Sequence, residues 1–445
     1  ALEAVHFTKF GGFDEAGLRK GPEGWTPKTY AEWWEAYRQI WQLLRERLDS
    51  LNPHDRQGAA NILLNRSRGL ICRTGLGNMV IESLQELLDK DYASKKAVLK
   101  EVIEVLHYDG KQLPPELRTK IQKFKDQLEG TDFPSQLKRY VGMDLLEDRF
   151  DEEGHEADFG EKRINELAQE AARDKTLLTP ELDWLVTSAA ENGLNFGYQL
   201  GLADQTFELL PLLVQSHRDA REKTNVYFLS GYFRAVSERN QSKWEEALDK
   251  IALDSKMRAW TPELTWRSGP LTDRAAERIF SLIQREVVGF EHLRMFAYGS
   301  VTKNLSEGIF KKWIALLIQK NSKTATSIAL DLSQFFYCRQ DARYSLPEDL
   351  GIILLTHPSL FTPSKEHSET MRDYNWSRMA KWFIRQYPGR SLELAKVMLE
   401  RFGQDGTIVE DSHGSPVEAL NIIVEKFPEK VWNEIKKYLG PPLDS

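Results

Sequence analysis

Cys72 and Cys338 are the chain's entire cysteine content. So small a set excludes a disulfide framework and any zinc site built from cysteine clusters, and both thiols read as small buried hydrophobes in a reducing compartment. Long apolar runs are missing too. None approaches the roughly 18 uncharged residues that a bilayer-spanning helix needs. Ala1-Leu2-Glu3-Ala4 has neither the basic start nor the apolar run of a secretory leader. These absences predict a cytoplasmic protein without a membrane segment. Basic residues are not in excess: 60 Lys and Arg stand against 67 Asp and Glu, a net charge of −7. That balance disfavours a nucleic-acid-binding machine, while leaving room for a local basic patch.

Strand patterning is also scarce. Nothing alternates apolar and polar residues over a useful length. The best strand signals are Thr407-Ile408-Val409 and Gly351-Ile352-Ile353-Leu354-Leu355, and the second reads as the continuation of a helix capped at Ser345.

Catalytic signatures are thin. Gly75-Leu76-Gly77-Asn78 precedes a helix, where backbone N–H groups can hold a phosphate, but it follows a helical segment and lacks a third glycine and a Lys-Ser/Thr. It reads as a helix–helix turn. Nine acidic residues between Asp144 and Glu161, with His155 among them, do not match a calcium loop. Glu434-Ile435-Lys436, with Asp411 upstream, faintly resembles a nuclease pattern, yet residues two apart on a helix point in different directions. No histidines pair at i,i+4, and there is no Gly-x-Ser-x-Gly elbow. Arg118, Lys120, Lys123 and Lys125, followed by Lys138 and Arg139, form a basic face diluted by Glu116, Asp126, Glu129 and Asp132, and read as solvated surface. Accordingly, no catalytic, cofactor-binding or metal-ligating residue is assigned.

What the chain has is helix grammar. A chain of 445 residues, 41% apolar and 29% charged, is too long for one core. Thr29 and Glu32 form a capping box ahead of the stripe Tyr30, Trp34, Tyr37, Trp41, Leu44, Leu48 and Leu51. That face should pack on helices at about 56–67 and 78–90. Leu113-Pro114-Pro115-Glu116 opens a helix with Leu117, Ile121, Phe124 and Leu128 on its apolar side. Thr179-Pro180-Glu181-Leu182 and Thr261-Pro262-Glu263-Leu264 place a cap residue before a first-turn proline. Ser345 to Glu348 and Ser415 to Glu418 are further capping boxes. The expected class is all-α.

Trp244, Trp313 and Trp382 fall 69 residues apart twice, each after a lysine. A period of about 35 per helix pair, counted double, produces that spacing. The expected architecture is an α-solenoid of stacked helix pairs (HEAT/TPR-like), the alternative being a two-domain helical globule. The glycine-rich start makes 1–28 irregular, 29–143 an N-terminal helical block, 144–175 a mobile acidic connector and 176–445 a C-terminal helical-repeat array. Lacking an initiator Met and stopping at a helix exit, both ends read as cuts from a longer polypeptide.

Most of the 12 tryptophans should be core, but Trp25, Trp33, Trp184, Trp260, Trp266 and Trp376 are flanked by polar residues. Trp and Arg dominate interface hot spots, so the pair Trp266 and Arg267, placed in an inter-helix loop, and nearby Trp260 are the candidate contacts for a protein partner.

Leu137-Lys-Arg-Tyr140-Val-Gly-Met143-Asp-Leu-Leu146-Glu-Asp-Arg-Phe150-Asp, Asn195-Phe-Gly-Tyr-Gln-Leu-Gly201, Tyr227-Phe-Leu-Ser-Gly-Tyr232 and Tyr438-Leu-Gly-Pro-Pro442 resemble the long helical C-terminal regions of large bacterial multidomain proteins. In those, an NTPase or effector module precedes a helical sensor, and several are linked to phage defence. The resemblance implies a sensing and oligomerising arm. The expected function is non-catalytic protein recognition or scaffolding. The rivals are a metal-dependent nuclease or other enzyme with a site between the helical blocks, and a structural subunit that oligomerises through the Tyr30–Leu51 face.

Overall fold

The computed structural model describes residues 8–9, 23–24, 30–71, 75–150, 155, 157–220, 224–298, 301–361, 369–401 and 416–437. The fold is all-α, with 23 α-helices among the described residues. The two-residue strands Thr8–Lys9 and Glu23–Gly24 pair antiparallel within the segment expected to be irregular. Gly351–Leu355 belongs to the helix Glu348–Leu355, as its sequence suggests. Thr407–Val409, Thr29, Ser415, Cys72, Trp25 and Asp411 lie outside the described residues. Among the described residues, no helix is long and apolar enough to cross a membrane.

The chain forms two compact units, the first from Ala1–Glu181 with Ala189–Phe196, the second from Leu182–Ser188 with Gly197–Ser445. In the first unit, the helix Tyr30–Arg47 turns its aromatic stripe inward. Trp41 and Leu48 are fully buried, with Trp34, Tyr37 and Leu44 packed around them. The partners are the helices Pro53–Asn65 and Gly77–Asp89, close to the expected ranges. Trp41 donates its indole N–H to Ser83 Oγ at 2.9 Å, which pins the stripe to the second partner. Leu51 escapes this packing at 96% exposure, because the helix ends before it. Most of the stripe is therefore used inside its own unit.

The acidic connector over 144–175 is corrected. Leu146–Arg149 is a 3-10 turn and Phe159–Arg173 a helix, both within the first unit, and the chain changes units between 181 and 197. Two physical causes act here. Ile164, Leu167, Ala168 and Ala171 recur at helical spacing and give the helix a buried face. Asp148 neutralises a buried cation, taking 2.8 and 2.6 Å bonds from the Arg139 guanidinium, whose Nε reaches Glu129 at 3.0 Å.

In the second unit, helices pack on neighbours close in sequence: Tyr227–Arg239 on Gln241–Leu253 and Thr261–Ser268, Glu307–Gln319 on Lys323–Tyr337, and Glu369–Gln386 on Pro416–Lys426. The helix Gly193–Ala203 approaches Tyr227–Arg239 so closely that a Cβ on Gly197 would lie 2.0 Å from the Phe228 carbonyl oxygen, and one on Gly201 2.7 Å from Ala235 Cβ. Backbone contact at an i,i+4 pair is what glycine permits. Where the chain leaves that helix, Arg239 binds the carbonyls of Gly201, Asp204 and Gln205, each at 3.0 Å.

Three expected caps fail, two of them for a common reason. Thr179 and Thr261 are already in right-handed helical geometry, following Lys175–Leu178 and the turn Arg258–Trp260. A cap residue must be extended for its side chain to reach forward to the first free N–H groups. Thr179 Oγ1 instead donates backward to the Lys175 carbonyl at 2.9 Å. Glu348–Leu355 starts after Pro347 with no side-chain cap, so the Ser345 box does not form. The caps that do form are Asn52, Ser94, Asp132, Asp174, Asn240, Thr272 and Ser322.

The 69-residue tryptophans are all helical, but their indoles are used differently. Trp244 donates to Ser268 Oγ at 2.8 Å and Trp313 to the Ala276 carbonyl at 3.1 Å. The buried Trp382 Nε1 has no partner among the described residues.

Candidate partner-binding surface

Trp266 and Arg267 are not in a loop. Both occupy the last turn of the helix Thr261–Ser268, whose first-turn Pro262 and buried Leu264 and Thr265 fix it against its neighbours. The helix runs through both residues to Ser268, and the extended Gly269 is the first residue to leave it. Helical geometry then fixes Arg267. Its Nε donates to Glu263 Oε1, one turn earlier, at 2.8 Å. Its guanidinium lies 4.1 Å from the centre of the Tyr227 ring and 4.9 Å from that of Trp266. The result is a cation held between two aromatic faces, each contact worth about 0.5–1 kcal/mol at a partly exposed site.

Trp266 and Arg267 are half-buried, and Tyr227 is exposed. Tyr227 is the member that sequence reasoning missed. It opens the helix Tyr227–Arg239, and its link to Arg267 is a packing contact between elements, invisible in local spacing. Trp260 does not join them. It closes the turn Arg258–Trp260, six residues before Trp266, which is about 240° around a helix.

The other motifs resolve into structure. Gly75 adopts φ +77° and Gly77 abuts Leu117, where a Cβ would lie 2.5 Å from a methyl carbon, so the Gly-x-Gly is a tight helix–helix turn. Of the acidic residues, Asp148 is bound by Arg139, and Asp144 accepts from Arg149 at 3.2 Å. Glu434 pairs with Lys437 at 2.7 Å while Lys436 turns to Asn433, so Glu434 and Lys436 do not converge. The basic face is dispersed: Lys120 binds Asn78, Lys125 binds Glu129, and Arg139 is buried. Among the described residues, no group of three or more His, Cys, Asp and Glu is placed to hold a metal ion.

The indole of Trp376 donates to the Leu355 carbonyl at 3.0 Å, which makes it core rather than surface. Trp432 is half exposed at the other extreme, on the helix Pro428–Ile435. No protein-family model, no curated protein and no solved structure matches the chain.

Proposed function

We propose that this chain is a non-catalytic recognition region: its second unit binds a protein partner through the surface of Tyr227, Trp266 and Arg267. The arginine stacked between two rings and tied to Glu263 carries this reading. Its side chain is ordered before any partner arrives, which lowers the entropy cost of binding, and aromatic residues with arginine are the usual energetic anchors of interfaces. Packing of helices on sequence neighbours supports an α-solenoid of stacked pairs, an architecture suited to broad protein-binding faces. On the resemblance of its segments, the chain is the sensor arm of a larger bacterial defence or signalling protein and works in the cytoplasm.

The test is a pull-down from bacterial and phage-infected cells with the purified chain and a Trp266→Ala, Arg267→Ala variant of equal helical content. The expected result is a partner recovered by the first, lost with the second, and reproduced with the two purified proteins. Equal recovery by both removes this surface from the proposal. Recovery of nothing specific by either counts against a recognition role.

A further inference from the structure

The helix Glu369–Gln386 and the chain leaving Lys323–Tyr337 border a cavity of about 540 Å³ in the second unit, lined by different residues from the Tyr227–Trp266–Arg267 surface. Arg378, Lys381, Trp382 and Arg385 line it from the helix, with Cys338, Arg339 and Asp341 opposite. Positions 378, 381 and 385 stand at i, i+3 and i+7, so three cations share one helix face. The lining holds four cations and one carboxylate, in a chain whose net charge is −7.

Much of the negative charge nearby is already committed. Asp341 is bound by Lys303 at 3.2 Å and Arg339 at 3.1 Å; the hydrogen bond from Lys303 chiefly holds its carboxyl below the usual range. Glu418 takes Lys381. Arg378 reaches the ring of Tyr374 at 5.7 Å, and among the described residues neither Arg378 nor Arg385 has a carboxylate partner. Like charges one turn apart repel, so this face is uphill unless an anion meets it.

One residue of the lining also carries an unpaired polar atom. The indoles of Trp41, Trp244, Trp313 and Trp376 each donate a hydrogen bond, whereas the buried Nε1 of Trp382 has no partner among the described residues. An indole N–H is a donor only, and a buried one without an acceptor is costly. Burial pushes the Cys338 thiol up to about 12, which leaves it a protonated apolar wall.

We propose that this cavity binds a small ligand of nucleotide size carrying at least two phosphate groups, with Arg378 and Arg385 as anchors. The volume lies within the roughly 300–1,000 Å³ typical of small-molecule sites. Guanidinium forks match phosphate oxygens two at a time. Seven residues of helix separate the anchors by about 10 Å along the axis, more than one phosphate spans.

Titration calorimetry of the whole chain tests this, with pyrophosphate, a nucleoside triphosphate, an uncharged nucleoside and a single-stranded oligonucleotide as probes. Pyrophosphate and the triphosphate should bind at one site and the nucleoside should not. Arg378→Ala with Arg385→Ala should weaken binding at least tenfold while helical content is unchanged. Lys311→Ala with Lys312→Ala, which removes two charges elsewhere in the unit, should leave it intact. Three outcomes overturn the proposal: no saturable binding of any polyphosphate at millimolar concentration, equal losses from the two double variants, or binding of single-stranded oligonucleotides with none of free polyphosphates.

Discussion

The two units treat buried polar groups in opposite ways. In the first, Arg139 is almost wholly buried, yet Asp148 and Glu129 bind it and its guanidinium lies 4.6 Å from the centre of the Tyr140 ring. Every buried side-chain polar atom left without a hydrogen-bond partner among the described residues belongs to the second unit, on Ser230, Thr261, Arg278, Ser333, Gln334 and Trp382 among others. A satisfied interior is what a scaffold needs, because an unpaired buried polar atom costs about 1–3 kcal/mol. Such atoms concentrate where stability yields to another requirement, and both proposed binding surfaces lie in that unit.

The largest effect expected from this contrast lies in the first unit. Arg139→Ala takes the buried cation from Asp148 and leaves Glu129 with Lys125 alone, and should cost about 3–5 kcal/mol, as removal of one partner of a buried ion pair does. Urea unfolding, with hydrogen exchange read over Phe133–Tyr140, measures it. A loss below about 1 kcal/mol would mean that water reaches the pair and that the first unit is not the satisfied one.

Gln334→Leu probes the second unit and should be neutral or stabilising by up to about 1 kcal/mol, because an unpaired amide is exchanged for an apolar side chain of similar size. If the thermal midpoint instead falls by an amount equivalent to about 2 kcal/mol or more, Gln334 is bonded in solution and the contrast between the units breaks.

The smallest effect concerns His217, whose Nδ1 lies 3.0 Å from the Leu213 carbonyl oxygen and whose ring stacks on Phe228. Burial holds its pKa below the free histidine value of 6.5. The unfolded chain therefore binds the proton first as pH falls, so the stability from keeping His217 neutral is complete above 6.5 and declines as pH drops toward the lowered folded value. Thermal midpoints between pH 7.5 and about 5 should fall more steeply for the native chain than for His217→Leu. Parallel slopes would assign the acid sensitivity to other groups.

Much of the fold was legible locally. The Trp41–Leu48 stripe and the Ile121–Phe124–Leu128 face bury as their spacing requires, since the 3.6-residue period depends on neighbours alone. The cap expected at Thr261 was misread because that residue is itself helical, whereas Thr272, which is extended, forms one that was not foreseen. The candidate surface was half legible: Trp266 and Arg267 are in contact, but Tyr227 joins them from another helix and Trp260 stands apart. The basic cavity was not legible, because Arg339, in the chain leaving one helix, and Arg385, on another helix, line the same cavity, and no sequence interval encodes that distance.

By itself, then, the sequence determined the helical class and the inward face of many helices, through periodicity and side-chain size. Tertiary structure decided which charges are neutralised and which are left over. Asp148, in an acidic run that looked like a linker, answers a buried arginine, while Arg378 and Arg385 meet no carboxylate among the described residues. The reason is physical: a hydrophobic stripe needs only its own helix to be recognised, but the energy of a charge depends on its burial and on partners that only the folded chain brings near.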